Sequence, residues 1–344
     1  MIRPILRRSF LEAFLVILIF AAKAFVIVAA LLIVIGFIAI MAARSQQQPL
    51  VDIEDMNQHY KRLESAVKSG ALTEADWKLE KKKLKKNKKQ PPPKNRVFVI
   101  NFDGDMKASQ VESLREEVTA LLTTAKSDDE VVVCVESPGG VVHGYGLAAS
   151  QLVRLREKQI PLTVCVDKVA ASGGYLMACT ANKILCAPFG IVGSVGVVAQ
   201  VPNLNRLLKK HDVDFKEYTA GEFKRTVSIF GEITPKGEQK FIQQLEDTHH
   251  LFKNFVHKYR PHLDLHQVAT GEYWYGENAL SLGLVDEIMT SDAYLTARSA
   301  THRVLKIKFE KKQKWNEKLS GVFGKALEKT FSKILLELEK SRLI

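Results

Sequence analysis

The chain is expected to be α/β, with a largely parallel sheet carried behind an apolar N-terminal segment. Three features predict this. From residue 96 onward, short β-branched runs alternate with helix-length stretches, the pattern of βαβ units. Glycine-containing turns follow several of those runs, where α/β sheets place their sites. Residues 24–43 carry no charge at all.

The elements follow in order. A strand is expected over Val97–Phe102, a helix over 109–126 and a strand over 131–135. A helix over 143–158 leads to the strand Leu162–Val166, another helix starts near Ser172, and Lys183–Cys186 is a further strand. A long amphipathic helix should run from Pro235 to Tyr259, with the proline in the first turn, where its missing N–H costs nothing.

Residues 24–43, at about 1.5 Å per residue, would span about 30 Å of hydrocarbon. Phe10 to Ala22 is also apolar apart from Glu12, but 10–43 is too short for two spans, so one is expected, with Lys23 able to snorkel. The apolar run exceeds the roughly 7–15 residues of a cleaved signal peptide. Arg3, Arg7 and Arg8 precede the span, whereas Arg44 is followed by Asp52, Glu54 and Asp55. That asymmetry predicts a single-pass inner (plasma) membrane protein with its bulk on the periplasmic side. The lysines of 78–89 lie too far beyond the span to weigh heavily in that rule.

The expected domains are therefore 1–45, cytoplasmic N-terminus and anchor; 46–95, a Lys/Pro-rich stalk; 96–300, the globular domain; and 301–344, a basic amphipathic extension. The stalk combines a polar helix over 57–86 with the stiff Pro91-Pro92-Pro93 spacer. In the extension, Trp315, Leu319, Val322, Leu327, Phe331, Ile334 and Leu338 recur at helical spacing, suited to packing on protein or to a membrane surface. The net charge of +12 over 344 residues resides largely in the Lys81–Lys86 run and the C-terminal tail. No basic stripe is interleaved with aromatics, so nucleic acid is not the expected partner; the lysine run is expected to be a solvated face, with lipid headgroups as the alternative. Cys134, Cys165, Cys179 and Cys186 lack metal-ligand spacing and lie in apolar runs, as buried thiols do; neither metal nor cofactor is expected.

Three glycine turns carry the chemistry: Ser137-Pro138-Gly139-Gly140, Ala171-Ser172-Gly173-Gly174 and Gly193-Ser194-Val195-Gly196. Gly139 and Gly140 can present backbone N–H groups to a substrate carbonyl. Ser172, at a helix start, would gain from the helix dipole and is the candidate nucleophile. Its hydroxyl needs a base. His143 is one candidate and Lys224, in Gly221-Glu222-Phe223-Lys224, is the other. A free lysine has a pKa of about 10.4, so a lysine base must be desolvated and held by a hydroxyl, a part Ser194 can play.

The chain resembles the signal peptide peptidase A family, and within it the SohB branch of membrane proteases. The resemblance rests on the three glycine turns, on Gly221-x-x-Lys224 and on Gly283-Leu284-Val285-Asp286, in the family's order, and on the anchor and lysine-rich stalk. It implies a ClpP/crotonase-like fold and a serine endopeptidase acting on signal-peptide remnants or small or misfolded proteins. It further implies Ser172 as nucleophile, Lys224 as general base, Ser194 orienting the lysine, and an oxyanion hole from the N–H groups of Gly139, Gly140 and Gly173. Position 197, where ClpP itself supplies a histidine, is Val197, which favours a Ser-Lys dyad over a triad. Assembly into a homo-oligomeric ring is implied as well. Two other functions share these features: a crotonase-like acyl-CoA enzyme, which has the oxyanion hole without the dyad, and a non-catalytic membrane scaffold.

Overall fold

The structure is a computed structural model that describes residues 23–33, 35–36, 51–87 and 93–309. The chain divides into a unit of residues 1–50 and a unit of residues 51–344. In the first, residues 23–33 and 35–36 are helical. No helix among the described residues is long and apolar enough to cross a membrane. The span expected over 24–43 extends past the described residues. The helix expected over 311–342, and Pro91 and Pro92 of the stalk, lie outside them.

The second unit is built on a seven-stranded sheet. Its strands are β1 (Val51–Asp55), β2 (Arg96–Asp103), β3 (Glu130–Glu136), β4 (Leu162–Val166), β6 (Lys183–Cys186), β9 (Glu287–Ile288) and β10 (Arg303–Phe309), in the order β1-β10-β2-β3-β4-β6-β9. All neighbours are parallel except β1, which runs antiparallel to β10. A second sheet of three short strands, β5 (Val169–Ala171), β7 (Ile191–Gly193) and β8 (Tyr273–Tyr275), stands beside it.

The central strands are apolar on both faces because both faces are covered, as parallel sheets require. Phe98, Ile100 and Phe102 of β2 join Val131, Val133 and Val135 of β3 in one core. There they meet α3 (Val111–Thr124) through Leu114, Val118 and Leu121, and α4 (Val142–Glu157) through Tyr145, Ala148 and Leu152. Val97, Val99, Val132, Cys165 and Val304 face the other way, into a smaller core closed by Met56 and Leu295. Cys165, Cys179 and Cys186 are buried and Cys134 half-buried, and all four are free thiols.

The boundaries expected at residues 95 and 300 fall inside the sheet. β1, expected in the stalk, pairs with β10, expected in the extension, and β10 in turn pairs with β2. The helix α1 (Met56–Ala71) starts at the end of β1, with the Asp55 carboxylate accepting from the Gln58 N–H at 3.1 Å. Asn57 clips this corner to the domain: its amide donates to Ser299 O at 2.8 Å and His302 O at 3.0 Å, and its Oδ1 accepts from Val304 N–H at 2.7 Å. Only α2 (Glu74–Asn87) then remains of the expected stalk as a helix apart from the sheet.

α5 (Gly173–Ala178) is the helix that begins at Ser172. Tyr175 on it is fully buried and donates to Leu284 O at 2.9 Å. Two residues on, the Asp286 carboxylate accepts from Ile184 N–H of β6 and from both terminal nitrogens of Arg260, at 2.9 and 2.7 Å. Burial alone would raise the Asp286 pKa; the Arg260 guanidinium and the Ile184 N–H outweigh it and hold the carboxyl below its usual range. The Gly283–Asp286 signature is thus structural, fastening β6 and α5.

Candidate active site

The second sheet brings all three glycine turns together. Ser137 forms a bridge with Ala170 of β5, and Ala171 N–H donates to Ser137 O at 3.0 Å. β5 in turn pairs with β7 so that Ala171 stands opposite Gly193. Ser172 N–H donates to Gly193 O at 2.8 Å, and Ser194 N–H donates to Glu272 O at 2.6 Å. The Ser137–Gly140 turn, Ser172 and Ser194 therefore lie side by side beyond the carboxyl ends of neighbouring strands, where α/β sheets place their sites.

Both serines are held in backbone conformations that side chains rarely adopt. Ser172 has φ 51° and Ser194 φ 52°. Such strain costs about 1–3 kcal/mol per residue and persists where the surroundings over-determine it. Here the sheet fixes the residue before each serine, Ala171 and Gly193, and α5 fixes Ser172 from the other side through Leu176 N–H, which donates to Ser172 O at 2.9 Å. Both serines are half-buried, and neither hydroxyl has a hydrogen-bond partner among the described residues. α5 is only 6 residues long, so its dipole adds little and the local N–H groups matter more.

Gly139 has φ +93°, and a Cβ there would lie 2.7 Å from Ser172 Cβ and 2.9 Å from Gly173 N. Only glycine fits, for both reasons. Its own N–H, however, donates to Ser137 Oγ at 3.0 Å. The N–H groups of Gly140 and Gly173 have no acceptor among the described residues. Of the three expected oxyanion donors, two are thus free beside Ser172 and the third shapes the turn.

Gly173 is packed against the Tyr145 ring, with Tyr145 Cγ only 2.3 Å from where a Cβ would be. Gly173→Ala is therefore expected to cost about 1–3 kcal/mol of stability by overpacking, and to displace an N–H next to the nucleophile. Thermal melting and kcat measured together check this; an alanine variant with wild-type values of both would contradict it.

Lys224 is not brought to this cluster within one chain's hydrogen bonding. It closes a turn, with its N–H donating to Gly221 O at 3.1 Å, and its side chain is exposed with no ion pair or hydrogen bond among the described residues. The surrounding segment from 197 to 233 is irregular apart from α6 (Asn205–Lys210) and exposes Val198, Leu207, Val213, Phe215, Tyr218, Phe223 and Phe230. His143 is exposed on the first turn of α4 and is likewise unpartnered. A different histidine does reach the site region: His249, on α7 (Pro235–Tyr259), lies 3.1 Å from Val195 O through Nε2.

The family models decide what this arrangement belongs to. Residues 12–152 match the Peptidase family S49 N-terminal model and residues 154–305 the Peptidase family S49 model. The chain belongs to peptidase family S49. It is a protease of the SohB-like kind, with the α/β, ClpP-like fold expected for that family. The probable protease SohB of Haemophilus influenzae is 56% identical over 239 residues, covering 70% of this chain and 67% of that protein. The probable protease SohB of Buchnera aphidicola subsp. Schlechtendalia chinensis is 46% identical over 287 residues, 78% of this chain and 94% of that one. Among solved structures, the 1510-N membrane-bound stomatin-specific protease aligns over 59% of this chain and 80% of its own at 16% identity, with a TM-score of 0.37, a likeness too slight to bear on the site. The S49 models together cover Gly139, Gly140, Ser172, Gly173, Ser194 and Lys224.

Proposed function

We propose that this S49 peptidase is a membrane-anchored serine endopeptidase in which Ser172 attacks and Lys224 is the general base. The observation that carries the proposal is the strained Ser172, whose hydroxyl has no partner among the described residues, next to the N–H groups of Gly140 and Gly173, which have no acceptor among them. In this mechanism the neutral Lys224 amine takes the Ser172 hydroxyl proton as Oγ bonds to the scissile carbonyl carbon. The oxygen becomes an oxyanion facing the Gly140 and Gly173 N–H groups. As the intermediate collapses, Lys224 returns the proton to the leaving amine, and water then hydrolyses the acyl-enzyme by the same route in reverse. Ser194 would hold the lysine amine; its hydroxyl, unpartnered among the described residues, and its place beside the strand that leads to Ser172 support that role.

The exposed Lys224 supports a site completed by assembly. An amine in water stays charged and cannot act as a base, whereas burial disfavours the charge. The apolar side chains around it on 197–233 suit a second copy of the chain, so a homo-oligomeric ring with shared sites is the proposed working form. The apolar segment 24–43 and the arginines before it support an anchor with the peptidase domain outside the cytoplasm. Substrates would then be peptides left at the membrane, such as signal-peptide remnants, or small or misfolded proteins.

A fluorophosphonate probe tests the nucleophile. It is expected to phosphonylate the peptide containing Ser172, with peptide hydrolysis lost in step. Labelling of Ser194 in its place, or full hydrolysis with Ser172 fully labelled, would refute the assignment.

A further inference from the structure

We propose that Ser137 and Tyr145 are positioning residues for the oxyanion hole, linked in one directional hydrogen-bond chain beneath it; this rests on Ser172 being the nucleophile. Tyr145 has a single hydroxyl proton, and it goes to Asp105 O at 2.8 Å. The Tyr145 oxygen can therefore only accept from Ser137 Oγ, 2.5 Å away. That uses the one Ser137 proton, leaving Oγ to accept from Gly139 N–H at 3.0 Å. Protons thus run in one sense only, from Gly139 N–H to Ser137, to Tyr145, to the Asp105 carbonyl.

The chain cannot slacken. Ser137 and Tyr145 are both 0% exposed, so no water competes for their hydroxyls. A Cβ on Gly104 would lie 2.4 Å from the Tyr145 hydroxyl and 2.5 Å from Ser137 Oγ, which leaves no room between strand β2 and the pair. Burial pushes the Tyr145 phenol up, so it stays a neutral donor across the working pH range.

What it positions is both sides of the hole. The Ser137 end pins the Gly139 turn at its positive φ, and with it the Gly140 N–H that follows. The base of the Tyr145 side chain, at Cβ, Cγ and Cδ2, abuts Gly173, the other donor. Ser137's main chain joins β5 through Val169 O and Ala171 N–H, so the chain ties the Gly139 turn to the strand that ends at Ser172. A donor displaced by a fraction of an ångström loses grip on the transition state before it loses grip on the substrate.

The test compares Tyr145→Phe, Ser137→Ala and the double variant of the full chain on a fluorogenic peptide, and on an aldehyde of the same sequence whose hemiacetal oxygen would enter the hole. Each single variant is expected to lower kcat by about 10–100-fold with KM within about twofold. Aldehyde affinity should fall by the factor kcat falls, and the double variant should be no worse than the poorer single, because the residues act through one chain. A general loosening would move melting temperature and KM without tying kcat to aldehyde affinity. Unchanged kcat in Tyr145→Phe, or losses that multiply in the double variant, would overturn the proposal. Tyr145→Phe keeps the ring and removes only the hydroxyl, so it carries the test even if Ser137→Ala folds poorly. Ser172→Ala is the control: if it cleaves the peptide or binds the aldehyde as wild type does, the nucleophile assignment fails and the proposal falls with it. If the control is inactive while Tyr145→Phe is normal, the proposal alone fails.

Discussion

Ser172→Ala is expected to lower kcat by on the order of 10⁴-fold or more, with melting temperature nearly unchanged. Removing the nucleophile of a serine peptidase leaves only what the oxyanion hole and binding contribute. The fold should not notice. The Ser172 main chain keeps its bonds to Gly193 O at 2.8 Å and from Leu176 N–H at 2.9 Å. Its hydroxyl bonds to nothing among the described residues, and alanine keeps the Cβ that packs on Gly139. Such a change should alter stability by less than about 0.5 kcal/mol. Turnover within tenfold of wild type in clean protein would remove Ser172 from the mechanism.

Lys224→Arg is expected to be inactive, with a loss of about 10²–10⁴-fold, the range for removing a general base. Arginine preserves charge and length but stays protonated, so it cannot accept the Ser172 proton. The side chain is exposed in the isolated chain, so folding should be unaffected; circular dichroism and melting should match wild type. The same logic fixes the pH profile of the wild-type enzyme. Only the neutral amine works, so kcat/KM should rise with pH. An active arginine variant, or a flat profile into alkaline pH, would exclude Lys224 as the base.

How much of this could be foreseen depends on where the signal lies along the chain. The helix Pro235–Tyr259 matches its expected bounds because both ends are marked: Thr234 caps its start, accepting from Gly237 N–H at 3.1 Å, with Pro235 in the first turn, and Pro261 follows its last turn. β4 and β6 also match, being short apolar runs bounded by turns and buried on both faces. β1 and β10 were not foreseen. Val51-Asp-Ile-Glu-Asp and Arg303-Val-Leu-Lys-Ile-Lys-Phe are edge-side strands whose charges resemble stalk and tail, and only their mutual pairing, across some 250 residues, makes them a sheet.

The site divides in the same way. Glycine turns mark Gly139, Gly140, Ser172, Gly173 and Ser194, because positive φ and close approach leave a trace in residue type. Lys224 leaves none; spacing leaves His143 open as well, and the family resemblance alone singles the lysine out. Tyr145 was missed outright. One tyrosine on a helix is indistinguishable from core, although its place between Gly144 and Gly146 is a hint of close approach in the sequence, and Gly144 does pack tightly against Ala108. Ser137 stood within a recognised turn, but its hydroxyl's direction is a tertiary fact.

The central claim is that Ser172 of one chain meets Lys224 of another. Co-expression of Ser172→Ala and Lys224→Ala subunits, each carrying a different tag, tests it most directly. Hybrids captured through both tags should regain peptide hydrolysis well above either variant alone, since about one interface in four of a random ring joins an intact serine to an intact lysine. Co-assembled hybrids that remain as inactive as their parents would contradict the shared site.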